Sequence, residues 1–235
     1  MNLPFFYISH YDAAQKEMVL EEDTSRHVVQ VLRMKIGEQM NLTDGKGNLL
    51  TCSIADDHKK HCLVKVEGTR SKIQDTRRVS IAISLIKNAN RFEWFLEKAT
   101  EIGVSEIIPL ICERTEKEKF RFDRMQGIVI SAMLQSQQVW LPVLQEPVPV
   151  QNFFKESICD TKLIAHCADN DKKQLAHFQI ESLANCQICI GPEGDFTAKE
   201  IELALQHNFI PVSLGETRLR TETAGVVAAA LLCLI

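Results

Sequence analysis

Two short stretches near the C-terminus carry the residue types of a ligand site. The first, Ile190-Gly191-Pro192-Glu193-Gly194-Asp195-Phe196, sets two glycines around a proline and a carboxylate. Glycine admits positive φ and lets backbone N–H and C=O groups approach a ligand closely. The second runs Leu214, Gly215, Glu216, Thr217, Arg218, Leu219, Arg220, Thr221, Glu222, Thr223 and Ala224, with two arginines just ahead of an apolar segment. Arginine in that place can hold an anion or RNA phosphate through its planar fork of donors. Plainer readings stand beside these. Gly191 to Gly194 could be an ordinary turn. Thr221 could cap the final helix, and Glu222 in its first turn would suit the macrodipole. A cap explains the arginines less well.

These stretches need elements to position them. From Val79 to Ile86 the chain is nearly continuously apolar, as in a strand buried on both faces. Phe92, Phe95, Leu96 and Ala99 follow at helical spacing, and Gly103 stands where a helix would stop. Glu106 to Ile111 reads as a strand, with Pro109 pushing it toward a sheet edge or a bulge. Asp123 to Gln138 is helical in pattern, and Lys162 to His166, Cys186 to Ile190 and Ile210 to Leu214 read as strands. Thr197-Ala198-Lys199-Glu200 forms a capping box, and the last helix starts near Glu222. Having no polar position after its start, that helix is expected to be buried on every side. Strands alternating with helices predict an α/β domain with a mainly parallel sheet, whose ligands bind beyond the strands' carboxyl ends. The loops of interest follow Ile86, Ile190 and Leu214. The loop from Leu85 to Asn90 lacks the Gly-x-Gly-x-x-Gly of a dinucleotide site.

The first 70 or so residues read differently. Gln39 to Thr43 alternates, Asp44 to Asn48 is a turn, and Leu49 to Ile54 resumes, which is a hairpin signal. His61 to Val66 adds a strand and Thr24 to Met34 a short helix; short strands with polar turns suggest a small β-barrel. Lys72 to Arg78 is polar and reads as a linker. The expected domains are therefore residues 1–72 and 73–235.

The net charge of −4 argues against a protein that coats nucleic acid by bulk charge, but RNA binding follows local patches. Residues 1–78 hold 12 Lys+Arg against 11 Asp+Glu, about +1, and the rest 15 against 20, about −5. The N-terminal part is the better candidate to meet phosphate, through Arg33, Lys59, Lys60, Arg70, Arg77 and Arg78. A second basic run, Lys117, Lys119, Arg121 and Arg124, alternates with glutamates and reads as a solvated face. The eight cysteines have no framework spacing. Cys186 and Cys189, three apart on a strand, would face opposite ways, so buried thiols rather than a metal site are expected. That usage suits a reducing cytoplasm. No signal peptide is evident, and Ala224 to Ile235 is too short to span a bilayer.

The two C-terminal stretches together closely resemble the signature of the RsmE-type 16S rRNA (uridine-N3) methyltransferases. Glu97 to Val104 resembles that family's central helix end, and His27 to Arg33, Gly37 and Asp44-Gly45-x-Gly47 resemble its N-terminal PUA-like barrel. The resemblance implies the SPOUT class, with a C-terminal trefoil knot, S-adenosylmethionine as cofactor, and a homodimer acting on 16S rRNA of the small ribosomal subunit. Carried over by position, the cofactor-binding residues are Leu85, Ile86, Lys87, Ile190, Gly191, Pro192, Glu193, Gly194, Leu214, Gly215, Leu219, Thr223 and Ala224. Arg220 is assigned to the charge developing on the uracil, Arg218 to phosphate or the base, and Glu222 to proton handling or to structure. No membrane and no metal are implied. Three departures stand out: Leu134 to Gln138 lacks the usual Glu-Gln-x-x-Arg, an early arginine is missing, and Asp195 replaces a common glycine. A non-catalytic RNA-binding relative and a SPOUT enzyme with another target nucleoside are the rival readings.

Overall fold

The computed structural model describes residues 3–116, 119–168, 172–178 and 185–234, so Lys117 lies outside the described residues. The chain divides into two compact units, one of Met1–Gln74 with Met133–Leu141, the other of Asp75–Ala132 with Pro142–Ile235.

In the first unit, β1 (Phe5–Tyr7), β2 (Glu17–Val19), β3 (Gln39–Thr43), β4 (Asn48–Asp56) and β5 (Leu63–Ser71) form one sheet in the order β1-β3-β4-β5-β2. The long strands alternate as the pleat requires: Leu50, Cys52 and Ile54 of β4 turn inward while Thr51 and Ser53 are half-buried. They meet Met40 and Leu42 of β3 and Val64 of β5 in one core. β1 and β2 are three residues each, too short for periodicity to reveal. The expected helix appears as α1 (Glu22–Arg26) followed by a π turn over His27–Val31. At the β3–β4 turn, Asp44 accepts from the backbone N–H groups of Lys46 and Asn48 and from the Asn48 amide. Gly47, at φ +93°, passes so close to Trp140 that a Cβ would stand 2.5 Å from its ring. The Gly47 N–H donates to the Val139 carbonyl, and Trp140 Nε1 donates to that of Lys72. This is why residues 133–141 belong to the first unit, which the sequence did not reveal.

The second unit is an eight-stranded sheet, every pairing of which is parallel. Its strands are β6 (Arg78–Ser84), β7 (Glu106–Ile111), β8 (Val143–Leu144), β9 (Val148–Pro149), β10 (Thr161–Ala165), β11 (Lys173–Gln174), β12 (Asn185–Ile190) and β13 (Ile210–Ser213). The order is β11-β13-β10-β12-β6-β7-β8, with β9 also on β7. β6 starts at Arg78 and ends at Ser84, so the linker is shorter than expected and Leu85 and Ile86 belong to the following loop. Pro109 sits at neither edge nor bulge. It pairs with Ile83, and on its other side it falls between the stretch facing β8 (Glu106, Ile107) and that facing β9 (Leu110, Ile111). Two short partners leave room for a residue without an N–H.

The helices are α2 (Ala89–Ile102), α3 (Phe122–Gln135), α4 (Val150–Glu156), α5 (Ala198–Gln206) and α6 (Thr221–Cys233). α2 begins on Asn88, whose side chain accepts from the Asn90 N–H, and stops on Gly103 at φ +100°. α5 carries the full capping box of Thr197 and Glu200. α6 packs on α2 and against β6 and β12. Within one chain it buries one face, with Gly225, Ala228, Ala229 and Leu232, and leaves Val226, Val227, Ala230 and Leu231 half-buried. Cys186 and Cys189 are buried, and burial pushes the Cys186 thiol up to about 12. Among the described residues no group of three or more His, Cys, Asp or Glu could hold a metal ion, and no helix is long and apolar enough to cross a membrane.

Candidate functional site

β10 lies between β12 and β13, so three strands deliver their carboxyl ends to one place. The loops after them enclose an open cleft of about 640 Å³. Ile190 and Val212, both buried, and Ala224 give it an apolar floor. Of the residues expected at the site, Ile190, Gly191, Pro192, Glu193, Leu214 and Gly215 line this cleft. So do Arg218, Leu219, Arg220 and Ala224.

Gly191 is there for close approach: a Cβ would stand 3.1 Å from the Phe196 ring and backbone nitrogen. Its carbonyl accepts from Thr221 Oγ1 at 3.1 Å, tying the two loops together. Thr221 is therefore not the cap of α6. That position falls to Arg220, whose side chain makes no capping bond. Arg218 and Arg220 are both exposed and have no ion-pair or hydrogen-bond partner among the described residues, so their guanidiniums are free at the cleft rim.

Five expected residues fall outside the lining. Leu85 and Ile86 are buried, and Lys87 donates its N–H to Glu193 Oε1 and pairs its ammonium with Glu116. Their loop thus flanks the glycine loop on the β6 side, away from β10. Gly194 passes beside Arg114, which donates to its carbonyl. Thr223 lies on the half-buried side of α6. The sixth exception is Glu222, 6% exposed and absent from the lining. Its Oε1 stands 3.6 Å from Arg91 Nε of α2, while Oε2 is buried and has no partner among the described residues. That placement suits a tether between α6 and α2.

Sequence reasoning missed Ala165 at the end of β10, His166, Cys167 and Lys172 after it, and Ser213 at the end of β13 as site residues; Asp195, Glu216 and Thr217 lay in the stretches it singled out but were given no role. β10 itself was legible; its place between β12 and β13 was not. Burial lowers the pKa of His166, Lys172 adds to the effect, and Asp195 opposes it.

Asp195, the departure from glycine, has φ +63°, a conformation that aspartate tolerates better than most residues. Its Oδ2 accepts from the Cys167 N–H at 2.7 Å and its Oδ1 from the Phe196 N–H at 2.8 Å. A side-chain staple thus joins the β10 and β12 loops. Asp195→Ala is expected to lower stability by about 1 kcal/mol and to raise the KM for the cleft's ligand more than it lowers kcat. Thermal unfolding and steady-state kinetics check this; an unchanged KM would leave the staple without a role in the site.

Arrangement and sequence agree with known proteins. The RNA methyltransferase domain model matches residues 74–233, and the RNA methyltransferase PUA domain model matches residues 20–67. Ribosomal RNA small subunit methyltransferase E of Rickettsia conorii is 29% identical over 95% of this chain and 92% of its own. The chain belongs to the RNA methyltransferase family that includes ribosomal RNA small subunit methyltransferase E. Among solved members, a probable rRNA-methyltransferase from Porphyromonas gingivalis has a TM-score of 0.90 at 38% identity, covering 98% of each chain. The methyltransferase E of Neisseria gonorrhoeae, solved bound to S-adenosyl methionine, has a TM-score of 0.87 at 28% identity, covering 97% of this chain and 96% of its own. The family's α/β domain and PUA-like domain are thus those of the second and first units.

Proposed function

We propose that this chain transfers a methyl group from S-adenosylmethionine to N3 of a uridine in 16S rRNA of the small ribosomal subunit. The observation that carries the reading is the convergence of the β10, β12 and β13 loops on one cleft, with two uncommitted arginines at its rim, in a chain of this family.

The cleft fits the cofactor on its own terms. It joins an apolar floor to a wall of close-packed backbone at Gly191, as a ligand that is part heterocycle and part polar chain requires. The cofactor supplies an electrophilic methyl on a sulfonium. The chain's residues do the rest: the 190–194 and 214–219 segments hold and orient the ligand, and orientation contributes much of the rate in an in-line displacement. The uracil imide nitrogen attacks as its proton passes to water in the open cleft and the sulfonium becomes a neutral thioether; until the N–C bond is made, negative charge builds on the flanking carbonyl oxygens. Arg220 is placed to stabilise that charge, and Arg218 to hold phosphate or base. The pairing of Glu222 with Arg91 supports the structural role for it over proton handling.

RNA contact is assigned to the first unit, where Arg33, Lys59, Lys60 and Arg70 are exposed, and to Arg78. Lys60 is partly engaged by Glu22. Arg77 instead donates to the Cys233 carbonyl at the end of α6, a structural job. The half-buried apolar side of α6, Val226, Val227, Ala230 and Leu231, supports a homodimer. The return of α6 from β13, next to the edge strand β11, to β6 and β12 supports the knotted path. The cytoplasm, where ribosomal subunits are, is the corresponding location.

Incubation with small ribosomal subunits lacking the modification, followed by nucleoside mass spectrometry, tests the reading. N3-methyluridine is the expected product; another methylated nucleoside, or none, overturns it.

A further inference from the structure

We infer that His166 is a direct contact for the nucleoside part of the ligand in the cleft, held in place by Asp195 and Lys172. This deepens the cofactor reading above and rests on it.

His166 follows β10 directly, lines the cleft, and is 7% exposed. Both ring nitrogens, Nδ1 and Nε2, are buried and have no hydrogen-bond partner among the described residues. Buried polar groups in folded proteins are nearly always satisfied, so an unpartnered ring at the wall of a site points to a partner that arrives from outside. The backbone around the ring is fixed on both sides. The His166 carbonyl accepts from Lys172 Nζ at 2.8 Å, and the next N–H, that of Cys167, donates to Asp195 Oδ2 at 2.7 Å. Lys172 also donates to the Ala168 carbonyl at 2.8 Å.

Ala165, the residue before His166, pairs with Ile190 on one side and Val212 on the other, so His166 stands at the cleft's apolar floor, where a flat heterocycle would pack. Burial and Lys172 favour the neutral imidazole, which presents one donor and one acceptor. A zwitterionic amino-acid end calls for charged partners. Ring nitrogens, an exocyclic amine and ribose hydroxyls match a neutral donor–acceptor pair, and these make up the adenosine part of the cofactor.

The test is calorimetric binding of S-adenosylhomocysteine and of adenosine to the full chain, its His166→Phe variant and its His166→Asn variant. His166→Phe is expected to weaken both ligands about tenfold, the scale of a buried hydrogen bond lost together with its desolvation. His166→Asn, which keeps a donor and an acceptor, is expected to recover most of the affinity. The melting temperature of the ligand-free His166→Phe protein is expected to be unchanged or higher, since an unsatisfied group has been removed; a structural histidine would lower it. Independently of any variant, the His166 ring nitrogen resonances of the wild type are expected to shift on adding S-adenosylhomocysteine. Normal wild-type binding with unshifted resonances, or with undiminished affinity in His166→Phe, overturns this inference alone. No wild-type binding overturns the cofactor reading and this inference with it.

Discussion

Replacing Arg220 with alanine is expected to lower kcat for methyl transfer by roughly 10²–10³-fold, the cost of removing one preorganised charge-stabilising donor, while cofactor affinity stays within a few-fold. The side chain is exposed on the cleft rim and has no partner among the described residues, so nothing structural is lost with it. Its backbone is nevertheless fixed: the carbonyl accepts the Ala224 N–H at 2.8 Å as the first bond of α6, and the next residue anchors to Gly191. The guanidinium is thus an exposed, unpartnered group on a hydrogen-bonded backbone, left for charge that exists only as the imide proton leaves. Arg220→Lys keeps the charge but loses the planar fork, and an intermediate rate is expected. Arg218→Ala is expected to act mainly on the KM for RNA. Single-turnover transfer assays beside cofactor calorimetry separate these outcomes. A large loss of cofactor affinity in Arg220→Ala would move that arginine from the reacting base to the cofactor.

The difference between what the sequence disclosed and what it hid follows the range of the interactions. Local devices were legible: the Thr197–Glu200 box opens α5, Gly103 ends α2 in the left-handed region, and the Asp44 turn joins β3 to β4. Each depends on residues within about one helical turn. Strand order is not local. Nothing in Lys162 to His166 says that β10 inserts between β12 and β13, yet that insertion puts His166 in the cleft and leaves Leu85 to Lys87 on the far side of the glycine loop. Thr221 shows the same limit on a smaller scale. Its position before a helix suggests a cap, but a carbonyl 30 residues away, that of Gly191, takes its hydroxyl instead. The sequence leaves proton handling and a structural role equally open for Glu222. Its neighbour in space is Arg91, more than 100 residues earlier, and the pair binds α6 to α2.

The same α2–α6 contact carries the second large effect. Gly225 is buried in the interior of α6, where glycine costs about 1 kcal/mol relative to alanine. Its retention there has a packing reason. A Cβ at this position would stand 2.6 Å from Phe95 Cε2 and 2.8 Å from Ile83 Cδ1. Phe95 in α2 and Ile83 in β6 are both fully buried, so neither can swing away into solvent. Gly225→Ala is therefore expected to destabilise despite its better helix propensity, by about 1–3 kcal/mol as for other overpacked cores. Gly225→Val adds further bulk and a β-branch and is expected to cost more. At about 2–4 °C per kcal/mol for a protein of this size, the loss is measurable by thermal unfolding. The damage also reaches the cleft, because α6 carries Thr221, bonded to Gly191, and Ala224, part of the floor. Lifting α6 off α2 strains both, so cofactor affinity should fall in parallel with stability, unlike in Arg220→Ala. Phe95→Leu removes the nearer obstacle and is expected to restore part of the loss when combined with Gly225→Ala, giving a favourable coupling energy in the double-mutant cycle. Strict additivity of the two substitutions would show that α6 and α2 do not meet at Gly225.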